Sequence, residues 1–400
     1  MHPSVAPSRR SRLWWIAVAG LMGVVLLVVA GCQGDALPGR ADEPPKPQAK
    51  IAIGPQDGTK KARPDRPITV GVQNGKITKV TVESKSGKRK VTGELSDDRT
   101  SWTSEWTLYP DTSYIVNATA VDEDGRTTST TSRFTTLEPD RTVRTGAAPL
   151  DGEKVGVGMP IIVYFTKPVD NRKNVERALE VKMSEPVEGA WHWVSDEEVQ
   201  FRPREYWPEG EKVKLVAHMA GVRAGDGLYG DKNQVVDFEV GDRHVSVVDA
   251  NRYRMVVRDG DEVVRKIPVS MGKPSFETRS GVHIAQEKAG TVVMDSATIG
   301  RPGEYRLTTN WNVRISYSGE FVHSAPWSVG SQGSSNVSHG CVNASPSNAE
   351  WFFNFTNRGD IIKVKGTSKQ LEFGNGPTPW VLSWKEWVDG SALGSSINGK

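Results

Sequence analysis

Two side-chain types that together perform acyl transfer stand close in the C-terminal half of the chain. The run Ser338-His339-Gly340-Cys341-Val342-Asn343 follows His323 across a Gly-, Ser- and Asn-rich connection, with 341 − 323 = 18 positions from histidine to cysteine. A thiol with a pKa of about 8.5 is a poor nucleophile at neutral pH, whereas a thiolate beside an imidazolium is a good one. His323 ends a strand-like run and is the base such a thiol requires. Extended backbone at Gly340 sets His339 and Cys341 on one side. The N–H groups of Gly340 and Cys341 could then hold a developing oxyanion, at roughly 3 kcal/mol per donor. Two histidines and a thiolate also suit zinc, but no fourth ligand and no C-x-x-C spacing accompanies them. A buried cysteine with incidental histidines is the remaining reading. A Gly/Ser/Asn-rich loop builds a core poorly and presents a side chain well.

The elements that must position these residues read as strands. His244 to Val248, Tyr253 to Val257 and Glu262 to Ile267 alternate or run apolar, the last two joined across Asp259-Gly260. Arg314-Ile315-Ser316-Tyr317 and Glu320-Phe321-Val322-His323 flank Ser318-Gly319 as a two-residue hairpin. One amphipathic helix is expected, capped by Ser345, with Pro346 at its first position and Trp351, Phe352 and Phe355 on its apolar face, ending before Gly359. This makes 243–366 a β-rich domain carrying one helix. In the tail 367–400, Trp380, Trp384 and Trp387 share a helical face. They could form a carbohydrate platform, but the expectation is that they fold back against the 243–366 domain.

Upstream, a chain of 400 residues needs more than one core, and 40 Gly with 24 Pro favour short strands and turns. Residues 51–138 show period-two runs at Ile68 to Val72, Thr78 to Val82 and Tyr114 to Ala118, with Asp124-Gly125 as a hairpin signal. Residues 139–242 repeat the order: an apolar strand at Ile161 to Phe165, then Tyr206-Trp207-Pro208 before Val213 to Ala217, as Tyr109-Pro110 precedes Tyr114. The fold class is therefore mainly β, with two tandem Ig-like sandwiches ahead of the β-rich domain. His192 and His218 lie in strand patterns without partners and are expected to be structural.

At the N-terminus, Arg9, Arg10 and Arg12 precede an apolar run from Leu13 to Ala30 that ends Val29-Ala30-Gly31-Cys32. This resembles a bacterial lipobox, so residues 1–31 are expected to be a signal peptide and Cys32 an acylated N-terminus. An uncleaved anchor is the alternative. Either places the rest outside the cytoplasm, at the outer face of the plasma membrane, with the Pro-rich stretch 32–50 as a spacer. Cys32 and Cys341 are the only two cysteines, so lipidation of the first leaves the second unpaired in an oxidising compartment. A net charge of +3 without a basic block argues against a nucleic-acid surface.

Ser338 to Asn343 with His323 upstream resembles the S/T-H-G-C-hydrophobic-N signature of the L,D-transpeptidases, and the lipoprotein-like start with two Ig-like modules resembles their mycobacterial-type members. The resemblance implies a peptidoglycan stem tetrapeptide as donor. Cys341 would form a thioester and release D-Ala, and a diaminopimelate side-chain amine would complete a 3→3 cross-link. It makes His323 the general acid/base, oriented by a backbone carbonyl near Ser324. His339, Gly340 and Asn343 shape the site, Tyr305 lies near the oxyanion, and Met294 and Trp327 border the donor, with Ser318 and Gly319 also in the substrate cleft. Carbapenems are the implied inhibitors, and no cofactor or metal is required. Hydrolysis of the same thioester, an L,D-carboxypeptidase, and a non-catalytic wall-binding lipoprotein are the alternatives. The lid Met294 to Tyr305 looks short, with Ile299 where an aromatic is common.

Overall fold

The computed structural model describes residues 46–398, so the apolar leader, Cys32 and most of the Pro-rich spacer lie outside the described residues. The first sandwich sets a four-stranded sheet, ordered Lys50–Gly54, Thr69–Gln73, Ser101–Ser104 and Gly93–Leu95, against a three-stranded sheet of Lys76–Ser84, Ser113–Val121 and Thr127–Thr135. Alternation does the sorting: Tyr114, Val116, Ala118 and Ala120 are buried along one strand while their neighbours face outward. Trp106 leaves this domain to stack on His218 of the next at a ring separation of 3.6 Å. The Nε2 of His218 meets Glu180 at 3.1 Å, so this histidine anchors a domain junction.

The second sandwich is built on Ile161–Phe165, whose inward residues sit in a continuous apolar cluster with Trp191, Phe201 and Trp207. That cluster does not end at the domain. Ile284 and Ile361 from the C-terminal domain belong to it, beside Val155, Val157 and Met159. Arg358 grips Glu153 across the same boundary with two bonds of 2.7 and 2.9 Å. A short helix, Arg172–Arg177, was not expected from the sequence.

The C-terminal domain pairs two sheets. One runs Glu262–Pro268, Arg254–Asp259, His244–Asp249, Ile361–Lys365, Gly281–Ile284; the other runs Glu287–Asp295, Arg306–Arg314, Phe321–Ser324, Val342–Ala344. Val313, Val322 and Val342 fill the core with Phe352 of the helix Pro346–Phe355. Ser345 precedes that helix without a side-chain cap, and the chain turns extended at Thr356, ahead of the expected stop at Gly359. Gly359 instead serves the turn beyond, at φ 90°.

The tail departs from expectation. Its indoles cover the second sandwich, not the C-terminal domain. Trp380 lies in a 3₁₀ turn, Pro379–Val381, ahead of the helix Trp384–Asp389. The three rings surround the guanidinium of Arg202, with Trp380 at 4.6 Å, Trp387 at 5.1 Å and Trp384 at 5.2 Å. Trp387 donates from its ring nitrogen to the Ala190 carbonyl at 2.9 Å, and His192 donates from Nδ1 to the Trp387 carbonyl at 2.9 Å. The strand Ile397–Asn398 then extends the sheet along Glu188–Trp193. The cause is chemical: buried Arg202 needs π-faces and carbonyls, and the tail supplies both. Trp387→Ala should destabilise the protein by about 3–5 kcal/mol, read as a lower urea midpoint, since it removes a fully buried indole and its hydrogen bond.

Candidate active site

Sheet register brings the key side chains together. Phe321–Ser324 and Val342–Ala344 pair in parallel, setting His323 opposite Asn343 and Val322 opposite Val342. Side chains at paired positions share a face, and so does a residue two positions away. Cys341, two before Asn343, therefore lies on the His323 face, while Val322 and Val342 go into the core. Both residues line a cleft of about 910 Å³.

His323 is buried and donates from Nδ1 to the Ser324 carbonyl at 2.8 Å. That bond fixes the tautomer and leaves Nε2 as an acceptor. Burial pushes the imidazole down to about 4, only partly offset by the Ser324 carbonyl. The Cys341 thiol is pushed up to about 12, first by burial and then by the carboxylate of Glu320; the Phe321 N–H and Arg314 act the other way. Both shifts run toward neutral thiol and neutral imidazole, and away from the thiolate–imidazolium pair expected from the sequence. A dry pocket disfavours both charges. Sγ sits 3.7 Å from the Gly319 carbonyl, which holds the thiol proton in the resting state.

The Ser338–Cys341 turn is organised by Ser338. Its Oγ donates to the Cys341 carbonyl at 2.6 Å and accepts from the Gly340 N–H at 3.2 Å. Gly340 adopts φ 127°, so the extended backbone expected there is replaced by a conformation only glycine takes without strain. Two consequences follow. The Gly340 N–H is occupied, leaving the Cys341 N–H, which enters no hydrogen bond among the described residues, as the backbone donor facing an oxyanion. His339 lines the same cleft but spends its Nε2 elsewhere, 3.1 Å from Lys273 Nζ and 3.2 Å from a Glu304 carboxylate oxygen. Its ring contacts Phe276 and Tyr305 at 4.7 and 5.0 Å. His339 therefore fastens the lid, and neither a catalytic contact nor a zinc pairing with Cys341 arises from it.

The lid is a hairpin of Glu287–Asp295 and Arg306–Arg314 closed by a 3₁₀ turn, Ser296–Ile299. Asp295 caps that turn through the Ala297 N–H, and buried Ser296 Oγ accepts from the Glu304 and Tyr305 N–H groups. Met294, Ile299 and Tyr305 thereby face the cleft. The Tyr305 phenol is raised by burial and then by Cys341, placing it within electrostatic reach of the sulfur. Across the cleft, Trp327 is 53% exposed on the 3₁₀ turn Pro326–Ser328, its ring 6.1 Å from that of His323. Asn343 is spent on that turn, donating to Ser328 Oγ at 3.1 Å. The connection Ser316 to Glu320 is longer than a two-residue hairpin; Ser318 is pinned by Asn375 of the tail, and Gly319 sits at φ 90°.

Four residues to which the sequence reading gave no part in the site complete it. Arg279 bridges Glu320 at 3.2 Å and Glu372 at 2.8 Å, and Asn375 holds Ser318. No local spacing links positions so far apart; only the fold does.

A thiol, an oriented imidazole and a lidded cleft define an acyl-transferring site on a β-rich domain. Residues 243–364 match the L,D-transpeptidase catalytic domain family, and residues 59–223 match the bacterial Ig domain family. The chain is 38% identical over 348 residues to L,D-transpeptidase 2 of Mycobacterium tuberculosis, spanning 86% of this chain and 85% of that one. It is 35% identical over 394 residues to L,D-transpeptidase 5 of the same species, spanning 96% and 86%. A solved L,D-transpeptidase in complex with imipenem superposes with a TM-score of 0.50 at 40% identity, over 57% of this chain and 100% of that one. The chain belongs to the L,D-transpeptidase family.

The depressed His323 makes a stability prediction. Because its folded pKa, about 4, lies below an unfolded value near 6.5, its contribution is present above pH 6.5 and lost as pH falls toward 4. At 1.36 kcal/mol per pH unit the loss is about 3 kcal/mol. Urea unfolding at pH 7 and pH 4 should show the parent losing about that much more than His323→Gln.

Proposed function

We propose that this L,D-transpeptidase works through Cys341 as nucleophile and His323 as general acid/base. The reading rests on one observation: the parallel pairing of Phe321–Ser324 with Val342–Ala344 sets both residues on one face of the cleft. As the donor carbonyl enters, His323 Nε2 takes the Sγ proton while sulfur attacks the carbonyl carbon, so charge forms only as it is delocalised onto oxygen. The Cys341 N–H and the Tyr305 hydroxyl would donate to that oxygen as it develops negative charge. Collapse breaks the C–N bond, the imidazolium returns its proton to the leaving D-Ala amine, and a thioester remains. A neutral diaminopimelate side-chain amine then attacks the thioester carbonyl, its proton passing to Nε2; the C–S bond breaks, the sulfur takes that proton back as the thiol, and a 3→3 cross-link is made.

Neutral resting forms serve this sequence, since an unprotonated Nε2 is available through the whole range above pH 4. Incubation with a disaccharide-tetrapeptide should give cross-linked dimer and free D-Ala by mass spectrometry. Cys341→Ala should lose at least about a thousandfold in rate, as loss of a nucleophile does. Dimer formation by that variant at the parent's rate would reject the assignment.

Because a solved relative is in complex with imipenem, the reading extends to acylation of Cys341 by β-lactams of that class. A stoichiometric mass increase on Cys341 is expected, absent in Cys341→Ala. We also infer that Cys32 is acylated and tethers the chain to the outer face of the plasma membrane. Support comes from the Val29-Ala30-Gly31-Cys32 run after an apolar leader. Intact mass of membrane-extracted protein should start at Cys32 with its acyl chains, and an unmodified, uncleaved start would refute this.

A further inference from the structure

Beside Gly340, next in the chain to Cys341, lies a carboxylate that the reaction above does not use. Glu320 is buried, with its side chain only 4% exposed, in the connection that also supplies the Gly319 carbonyl. Its Oε1 accepts from the Arg279 N–H at 3.0 Å and the Arg279 guanidinium at 3.2 Å. Its Oε2 has no partner among the described residues. Gly340 packs directly against it: a Cβ there would lie 3.6 Å from Glu320 Cγ and 3.9 Å from Oε1. A buried carboxylate with one bare oxygen is costly unless its charge has a use. Arg279 does not cancel it fully, because Glu372 shares the guanidinium at 2.8 Å.

We propose that Glu320 is a positioning residue that holds Cys341 as a hydrogen-bonded thiol in the resting enzyme, with Arg279 and Glu372 setting how strongly it does so. This rests on the reading of Cys341 as the nucleophile. The geometry gives the direction. Gly319 and Glu320 are adjacent, so one backbone segment presents a carbonyl that accepts the S–H and a negative charge that repels the thiolate. The other groups facing the sulfur are Arg314 from the lid strand, the Phe321 N–H, His323 and Tyr305. Arg314 and the Phe321 N–H favour thiolate; Glu320 opposes them. A thiol kept neutral resists oxidation and stray acylation, because the thiolate is the reactive species. Chemistry then waits until substrate fills the cleft and His323 can take the proton in step with attack.

The test is the rate at which iodoacetamide alkylates Cys341 in the full described protein between pH 6 and pH 10, with the labelled site identified by peptide mapping. Glu320→Gln should react faster than the parent throughout. Lowering a thiol by one pH unit gives tenfold more thiolate, partly offset by weaker nucleophilicity, so a rise of about threefold or more is expected. Glu320→Asp keeps the charge and should track the parent. Glu372→Gln, on a half-exposed side chain that leaves the fold intact, frees Arg279 for Glu320 and should give a smaller rise in the same direction. A folded Glu320→Gln whose rates superimpose on the parent's overturns the proposal, as does Glu320→Asp reacting as fast as Glu320→Gln. Should Glu320→Gln fail to fold, an unaltered rate in Glu372→Gln overturns it. Failure of the nucleophile reading is seen separately, as cross-linking that survives in Cys341→Ala.

Discussion

Everything at the site depends on one parallel strand pair. Val322 and Val342 drive their side chains into the core, and because alternation is strict, His323 and the Cys341–Asn343 edge must face the cleft. Slippage by one residue would bury the imidazole's partner and expose two valines. The hydrophobic core thus sets the register, and the register sets the distance between base and sulfur. Parallel pairing needs a crossover, which the Ser- and Gly-rich connection from 325 to 341 provides. That connection is stitched down by backbone bonds from Gly333 to Val269, Ser338 to Met271 and Lys273 to Ser338. A loop so composed holds shape because its polar groups are answered, not because it is packed.

The tail contributes more than cover for Arg202. Between residues 367 and 378 it passes the cleft, where Glu372 reaches Arg279 and Asn375 holds Ser318. It then reaches the second sandwich, where its last strand joins the sheet. One segment therefore touches both the turn that cradles the thiol and the domain ahead of it. Together with the shared cluster around Ile284 and Ile361, this fixes the second sandwich and the C-terminal domain as one packed body, unlike beads on a linker.

The mainly-β class, the Ig-like modules and the acyl-transfer family were legible in the sequence because each has a local signature: period-two alternation, repeated turn residues, and Ser338 to Asn343 as a contiguous run. What escaped was non-local. The tail's tryptophan spacing signalled packing, yet only Trp387 is fully buried, Trp380 lies ahead of the helix, and the destination was set by Arg202, a residue about 180 positions away whose need for π-faces no periodicity reveals. His339 was misplaced for a different reason. Its position beside Gly340 suggested chemistry, yet the glycine's positive φ rotates the chain and sends the imidazole to Lys273 and Glu304. Backbone conformation at a single residue outweighed adjacency.

The shifts of His323 and Cys341 toward their neutral forms follow first from burial. Burial of the imidazole strengthens dipoles aimed into the site, but it also penalises a standing imidazolium and, beside it, a standing thiolate. The protein resolves this by storing neither charge. Ser324 orients the imidazole without charging it, since a carbonyl in place of a carboxylate gives direction without stabilising an imidazolium strongly. Gly319 holds the thiol proton until transfer. In the proposed reaction, negative charge would form only in the transition state, on the substrate oxygen, and binding energy would go to that state in preference to the resting one.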